Sequence, residues 1–337
     1  MNYKLNLKYF NFTTLSYNNK KNKKNKKIIK NYKKQNYIFK SKRISNLSNS
    51  INIYGLKFNS GSFSITKIYN DDNEKEFLLN FRMSNCKIVN INNQDILISL
   101  NKIVKIDKNL KVINENKILI PSLLEKITNS INTYNKNIIG IEDMRIFNFN
   151  DIIKIIGTAQ DTDRKTKIIS GDYDYETNKL TNINYIENTF NIQEVEKNWV
   201  YFINDKDELN IIYKWYPLQV CNIVENKLFL LKNINMPKYF INARGSTCGV
   251  KYNNQNWFIV HFNEEGDYYH FFAVFDLEMK LIKYSNKFKF EGNRIEFCIG
   301  FTIDYNDIII CYSLNDEISK YALYDISRLN GLLWIIE

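Results

Sequence analysis

Proline is scarce in this chain, with only Pro121, Pro217 and Pro237 among 337 residues. None falls in the apolar runs discussed below, which are therefore free to pair as strands without losing a backbone donor. Histidine is scarcer still: His261 and His270 are the whole complement, which excludes a histidine-rich metal centre. The five cysteines, Cys86, Cys221, Cys248, Cys298 and Cys311, are odd in number and form no CxxC pair. That pattern disfavours a disulfide framework or a zinc site and favours buried thiols in a reducing compartment. No metal and no cofactor is expected. No stretch approaches the roughly 20 apolar residues of a membrane span. Met1-Asn2-Tyr3-Lys4 does not lead into the continuous apolar segment of a secretory leader. The expected location is cytoplasmic.

Acidic residues are absent from the first 50 positions, which hold 13 Lys and one Arg. The remainder carries 33 basic against 36 acidic residues, a balance of −3, so the overall +11 resides in the terminus. The chain therefore divides into a Lys/Asn-rich, low-complexity tail at 1–50 and one domain at 51–337. The tail is expected to be disordered. Its charge suits an anionic partner, although Asn, Lys and Ile dominate the whole sequence and such a tract also arises by drift. The folded part is close to neutral, and no specific nucleic-acid partner is expected.

What the chain does contain is periodicity. Short motifs centred on Asn59, Asp143, Asn198, Ser246 and Phe297 recur at intervals of 84, 55, 48 and 51 residues. A period near 50 is that of a four-stranded propeller blade. Each motif opens a hairpin: Asn148–Asp151, Asn204–Asp207, Asn253–Asn256 and Asp304–Asp307 are Asn/Asp turns leading into runs rich in Ile, Val, Tyr and Phe. The reading is an all-β fold, a five-bladed β-propeller behind a disordered cationic N-terminal tail. The 84-residue interval leaves room for one insertion, with a short helix or turn capped by Ser122 at Pro121–Ile127.

In such a fold, polar residues at the same point of each repeat converge on one funnel. Here they are Asn59, Asp143 and Arg145, Lys197 and Asn198, Arg244, and Glu296, with His261 nearby. Residues two apart on a strand share a face, so Asp143 and Arg145 should both point inward while Glu142 points away. Arg145, Lys197, Arg244 and His261 then supply several cations against few anions, the balance that holds a phosphate or a phosphorylated donor. An Asp–Arg pair stapling two blades is the competing reading for any one of these contacts.

Ile141-Glu142-Asp143-Met144-Arg145-Ile146 resembles the Glu-Asp-Pro-Arg-Ile segment of the β-mannoside phosphorylases, glycoside hydrolase family 130, and of related β-1,2-mannosyltransferases. Glu196-Lys197-Asn198, His261, Phe297-Cys298-Ile299-Gly300 and Tyr312-Ser313-Leu314-Asn315-Asp316 are similar to later motifs of that family, in the same order. Asn59 and Arg82 resemble its early substrate-binding positions. The resemblance covers roughly residues 55 to 320 and implies a mannosyl-transferring enzyme with Asp143 as general acid/base. It implies that Arg145, Lys197 and His261 hold phosphate or the donor, to which the funnel position adds Arg244. It further implies that Asn59, Arg82 and Asp316 contact sugar, and the funnel positions add Asn198 and Glu296. The implied partners are a carbohydrate and inorganic phosphate or a sugar-phosphate donor. Two alternatives stand beside it. One is a propeller hydrolase using water, which needs Glu296 or Asp316 opposite Asp143; the other is a non-catalytic glycan-binding propeller.

Overall fold

The computed structural model describes residues 42–43, 50–53, 55–85, 89–91, 94–119, 138–161, 163–191, 193–331 and 334–336. Their strands fall into five sheets. Sheet I runs Ser50–Ile53, Leu56–Tyr69, Lys75–Ser84, Gln94–Asp107 and Val112–Leu119, with Val89–Ile91 and Ile138–Ile139 added to Gln94–Asp107. Sheet II is a four-stranded meander, Glu142–Phe149, Ile152–Gln160, Thr166–Asp174 and Lys179–Tyr185. Sheet III repeats that plan over Val200–Ile203, Leu209–Trp215, Leu218–Val224 and Lys227–Ile234, with Glu187–Asn188 on its outer edge. Sheet IV sets Arg244–Gly245 and Val250–Tyr252 against Gln255–Glu264, followed by Asp267–Asp276, Leu281–Ser285 and Trp334–Ile336. Sheet V is Glu296–Asp304, Asp307–Leu314, Ile318–Asp325 and Lys42–Arg43.

The Asn/Asp turns lie where the sequence places them. Asn150 and Asp151, and again Asn253 and Asn254, take positive φ in pairs, the requirement of a tight hairpin that matches strand twist. Asn204 instead closes its turn through the side chain, its Oδ1 accepting from the backbone N–H groups of Lys206 and Glu208 at 2.9 Å each.

The expectation that each blade is four-stranded is corrected. Only sheets II and V have four strands, and sheet V completes its set by borrowing Lys42–Arg43, which pairs with Tyr321 and Lys320. Lys42–Arg43 pairs with sheet V, and Ser50 pairs with Asn59 of sheet I. The expected turn or helix at Pro121–Ile127, residue Cys86 and the Lys-rich stretch before Lys42 lie outside the described residues. Among the described residues the helical content is two short 3₁₀ turns, Lys238–Phe240 and Ile326–Gly331.

Packing between sheets is cyclic. Phe63, Phe81 and Leu79 of sheet I meet Ile309 and Cys311 of sheet V, with Phe63 and Phe81 stacked at 4.5 Å. Ile68 and Leu78 of sheet I also meet Met144, Ile146 and Ile153 of sheet II. Phe147 and Ile156 of sheet II face Tyr201 and Ile211 of sheet III. Phe202 and Trp215 of sheet III face Phe258 and Phe271 of sheet IV. Ile259 and Phe272 of sheet IV meet Phe301 and Ile310 of sheet V, closing the cycle. A sheet with one apolar face can be covered by a neighbouring sheet; here both faces are covered, so central strands read as near-continuous apolar runs. Gly300 marks how tight the closure is, since a Cβ there would lie 2.6 Å from the Phe63 carbonyl oxygen and 2.7 Å from Cys311 Cβ.

A candidate active site at one end of the inner strands

Three inner strands carry a bulge at the same end. In sheet I, register slips between Ser60↔Met83 and Phe63↔Phe81, so Gly61 and Ser62 together oppose Arg82. In sheet II it slips between Ile156↔Arg145 and Thr158↔Glu142, so Asp143 and Met144 oppose Gly157. In sheet V it slips between Cys298↔Tyr312 and Gly300↔Cys311. An extra residue re-aims side chains, and here it breaks the strict alternation expected around Asp143. Asp143 takes φ 48°, a left-handed conformation that costs about 1–2 kcal/mol for a residue with a Cβ. The surrounding structure holds it there. Asn80 Nδ2 donates to the Met144 carbonyl at 2.7 Å, Ser64 Oγ donates to the same oxygen at 3.1 Å, and Asn101 Nδ2 donates to the Ile141 carbonyl at 3.1 Å. Gly157 leaves room for the kink, because a Cβ would sit 2.5 Å from Ile141 Cγ2.

The consequence overturns the expectation that Glu142 points away. Arg82 donates through Nη1 to Asp143 Oδ1 at 3.1 Å and through Nη2 to Glu142 Oε1. Ser62 Oγ donates to Asp143 Oδ1 at 3.1 Å, and Lys197 Nζ lies 3.5 Å from Glu142 Oε2. Arg82 Nε is anchored on Ser99 Oγ at 3.1 Å. Burial would raise the Asp143 pKa, yet Arg82, Arg145, the Ser62 hydroxyl and Lys197 together hold it below the ordinary 3.8. Asp316, electrostatically coupled to Arg82, Asp143 and Glu142, behaves oppositely: burial and the two other carboxylates raise it more than Arg82 lowers it. Burial opposes the charge of Arg82, but these three carboxylates prevail and keep it firmly cationic.

Arg145 is placed differently from a ligand-binding cation. Its side chain is 1% exposed, and its nitrogens donate to three carbonyls: Nε to Ser246 at 2.6 Å, Nη1 to Asp143 at 3.0 Å and Nη2 to Gly245 at 3.3 Å. It thereby ties the Asp143 turn of sheet II to sheet IV. Ser246 Oγ in turn lies 2.8 Å from His261 Nδ1, and the ring is buried. Arg244 is exposed and in register with His261. Asn198, at φ 65°, brings its backbone against Gly245, where a Cβ would lie 2.4 Å from the Asn198 oxygen. Asn59 sits on the inner strand of sheet I opposite Ser84, half-buried.

Two other expectations are corrected. Glu296 does not join the pocket: its carboxylate accepts from the backbone N–H groups of Phe290, Glu291 (2.8 Å) and Asn293 (2.7 Å), and its side chain has no exposure. It folds the 290–293 turn. His261 does not add a cation either, because burial, His270, Arg145 and Arg244 drive its pKa well below 6.5. The expected excess of cations thus shrinks to Arg82, Lys197 and Arg244 around Glu142, Asp143 and Asp316, with Arg145 engaged by carbonyls. Sequence reading missed Glu142, Ser62, Ser246, Asn80 and Asn101 as members of this site. A polar residue inside an apolar strand run, as at Asn80 in Phe77–Met83, was the signal available for the last two.

The two histidines carry a testable consequence. His270 is fully buried, accepts the Cys298 N–H at Nε2 (3.3 Å), and is driven by burial to about 3. In the unfolded chain both rings take up a proton near 6.5, whereas in the folded chain they resist it. Their contribution to stability is therefore complete above pH 6.5 and is lost as pH falls below it, for His270 down to about 3, at about 1.4 kcal/mol per pH unit for each ring that stays unprotonated in the fold. Denaturant midpoints measured between about pH 7 and pH 5 should fall steeply. A flat profile would mean that the rings titrate normally in the fold.

No family model matches the sequence, and no curated protein matches it. Solved structures do match its fold, and they define its class as an all-β, propeller-like domain of the kind found in glycoside phosphorylases and hydrolases. One is the β-1,2-mannobiose phosphorylase of Listeria innocua, in complex with β-1,2-mannobiose: TM-score 0.57, 13% identity, 87% of this chain and 99% of that one. A mannose phosphorylase from Leishmania mexicana, in complex with a phosphate ion, aligns at TM-score 0.54 and 9% identity over 93% of this chain and 96% of that one. A structure from work on the GH130 mannoside phosphorylases, reporting glycoside hydrolases that target β-1,2-mannosidic linkages in Candida mannan, aligns at TM-score 0.56 and 10% identity over 86% and 94%.

Proposed function

We propose that this chain is a carbohydrate-active enzyme that moves a mannosyl or similar glycosyl unit to or from phosphate or a phosphorylated donor, on a ring of five blades formed by sheets I–V. The observation that carries the reading is Asp143: an ionised carboxylate held in a left-handed turn by buried asparagines, beside Arg82 and close enough to feel Lys197. The similarity of fold to mannoside phosphorylases supports the choice of glycosyl chemistry.

In the direction of synthesis, the Asp143 carboxylate takes the proton from an acceptor hydroxyl as that oxygen attacks the anomeric carbon. The carbon–oxygen bond to phosphate breaks, and phosphate leaves with the bonding pair. In the reverse direction Asp143 returns the proton to the glycosidic oxygen while phosphate attacks. Lys197 and Arg244 hold the phosphate as exposed cations, and neutral His261 lies in register with Arg244. Arg82 holds the carboxylate and the sugar side of the pocket, with Asn59, Asn198 and Asp316 around it. Arg145 is a positioning residue. Its fork is spent on carbonyls, so it shapes the Asp143 turn and does not bind phosphate.

A second reading, hydrolysis by water, draws on Asp316, whose raised pKa beside the lowered one of Asp143 is the division of labour of an acid and a base. One experiment separates them. The protein is incubated with mannose 1-phosphate and a panel of mannose and glucose acceptors, and separately with β-mannosides with and without phosphate. Phosphate release accompanied by a new disaccharide is the expected result. Mannose release from a β-mannoside at a rate indifferent to phosphate would replace transfer by hydrolysis. Inertness toward both sets of substrates would leave a glycan-binding propeller.

A further inference from the structure

The inner strands have a second end, and it too is a cavity. Beyond the Arg145–Ser246 bridge, a space of about 250 Å³ opens where the five sheets converge again. Each sheet contributes to its wall: Lys67 from sheet I, Asn148 from sheet II, Ile203 from sheet III, Lys251 from sheet IV, and Thr302 from sheet V. Its lining contains two lysines and no acidic residue. None of these residues enters the reaction proposed above, because the side chains that do are at the other ends of the same strands.

The polar groups of this mouth are loosely engaged. Lys67 Nζ has two neighbours, the Ile303 carbonyl and Asp304 Oδ1, each at 3.4 Å, while Asp304 is held more closely by Lys75 at 2.5 Å. Its side chain is 30% exposed. Lys251 pairs with Asp207 at 2.7 Å, but that carboxylate is 78% exposed and the pair is solvated, so it contributes little and exchanges readily. Asn148 donates from Nδ2 to the Lys67 carbonyl at 3.0 Å, and its Oδ1, shut off from solvent, has no hydrogen-bond partner. The loosely held Lys67 ammonium on the cavity wall is a group that an anionic ligand completes.

We infer that this mouth is a second, non-catalytic binding site for a small phosphate monoester. Two lysines on opposing sheets match a doubly charged group, and Lys binds phosphate as a point charge. Thr66 and Thr302 are within the lining, and Phe147, Phe301 and Val250 provide apolar surface for the remainder of the molecule. At about 250 Å³ the space lies just under the roughly 300–1,000 Å³ of pockets for drug-sized ligands. That suits a monosaccharide-sized body and is too small for an oligosaccharide. The site shares the strand Glu142–Phe149 with Asp143, at its opposite end.

The test is calorimetric titration of the full chain with glucose 6-phosphate, and in parallel with glucose and with inorganic phosphate. Saturable binding of the ester at millimolar or tighter affinity is expected, with glucose silent. The Lys251→Glu variant should weaken binding by about tenfold or more, and Lys67→Met should do the same, while Asp143→Asn and Lys197→Met leave it unchanged. Melting temperatures measured alongside guard against misfolding, and the exposed Lys251 position provides a variant that spares the fold. Binding lost in Asp143→Asn or Lys197→Met but intact in Lys251→Glu would place the ester at the reacting end and overturn the inference. No saturable binding to the wild-type chain would overturn it as well, and neither result bears on whether the other end transfers sugars.

Discussion

The Asp143→Asn variant should lose about 10²–10⁴-fold in turnover, the usual contribution of a positioned acid or base, while melting at or near the wild-type temperature. The amide keeps an oxygen that can accept from Ser62 and Arg82, and Arg82 retains Glu142, so the turn and its hydrogen bonds survive. Only proton transfer is removed. If Asp143 were a structural staple, the variant would instead lose stability and activity together. The pH profile makes the claim sharper. The synthetic direction needs the carboxylate, and Arg82 leads the charges that overcome burial to hold it below 3.8. Activity should therefore persist as pH falls to the ordinary aspartate value and decline only beneath it. Arg82→Met removes that support and leaves burial to act, so the acid limb should move upward. An acid limb that stays in place in Arg82→Met would mean that another group sets it, with Asp316 the next to test.

Much of the fold was legible because hairpins are local. Asn253-Asn254 and Asn150-Asp151 specify positive φ in neighbouring residues, and the runs beside them are strand formers, so each turn fixes its own pair of strands. The four-stranded plan failed where contacts are distant in sequence. Lys42–Arg43 closes sheet V from the far end of the chain, inside a stretch whose composition speaks of disorder. Lysine-rich segments can pair through their backbone when an edge strand is offered, and composition says nothing of that offer. Within the site, Asp143 and Lys197 were read from the repeats as a polar set and Arg82 only from the family resemblance, and their geometry was not read at all. Alternation sends Glu142 away from Asp143; a single bulge opposite Gly157 brings both carboxylates to Arg82. Bulges depend on the cross-strand partner, which the local sequence does not name. Glu296 and Arg145 went astray for a related reason. A charged residue at a funnel position reads the same whether it faces a ligand or a backbone, and burial alone separates the two.

Arg145 is the position where that distinction has the largest energetic consequence. Its guanidinium is buried, and burial lowers its pKa, yet it donates to the carbonyls of Asp143, Gly245 and Ser246. Hydrogen bonds from a charged group contribute about 1.5–3 kcal/mol each, and carbonyls stranded in a buried site cost more than those returned to water. Arg145→Met leaves three such oxygens without their donor and unties sheet II from sheet IV. We expect a loss of about 3 kcal/mol or more in denaturant-derived stability, at about 1–3 kcal/mol for each buried acceptor left unsatisfied. Arg145→Lys should recover only part of it, since a single ammonium cannot reach three carbonyls in the fork geometry of guanidinium. Activity should fall in both variants because the Asp143 turn loses its brace. A phosphate-binding role predicts the opposite division: Arg145→Met would be nearly as stable as wild type, would raise the KM for phosphate, and would be partly rescued by Lys as a substitute cation.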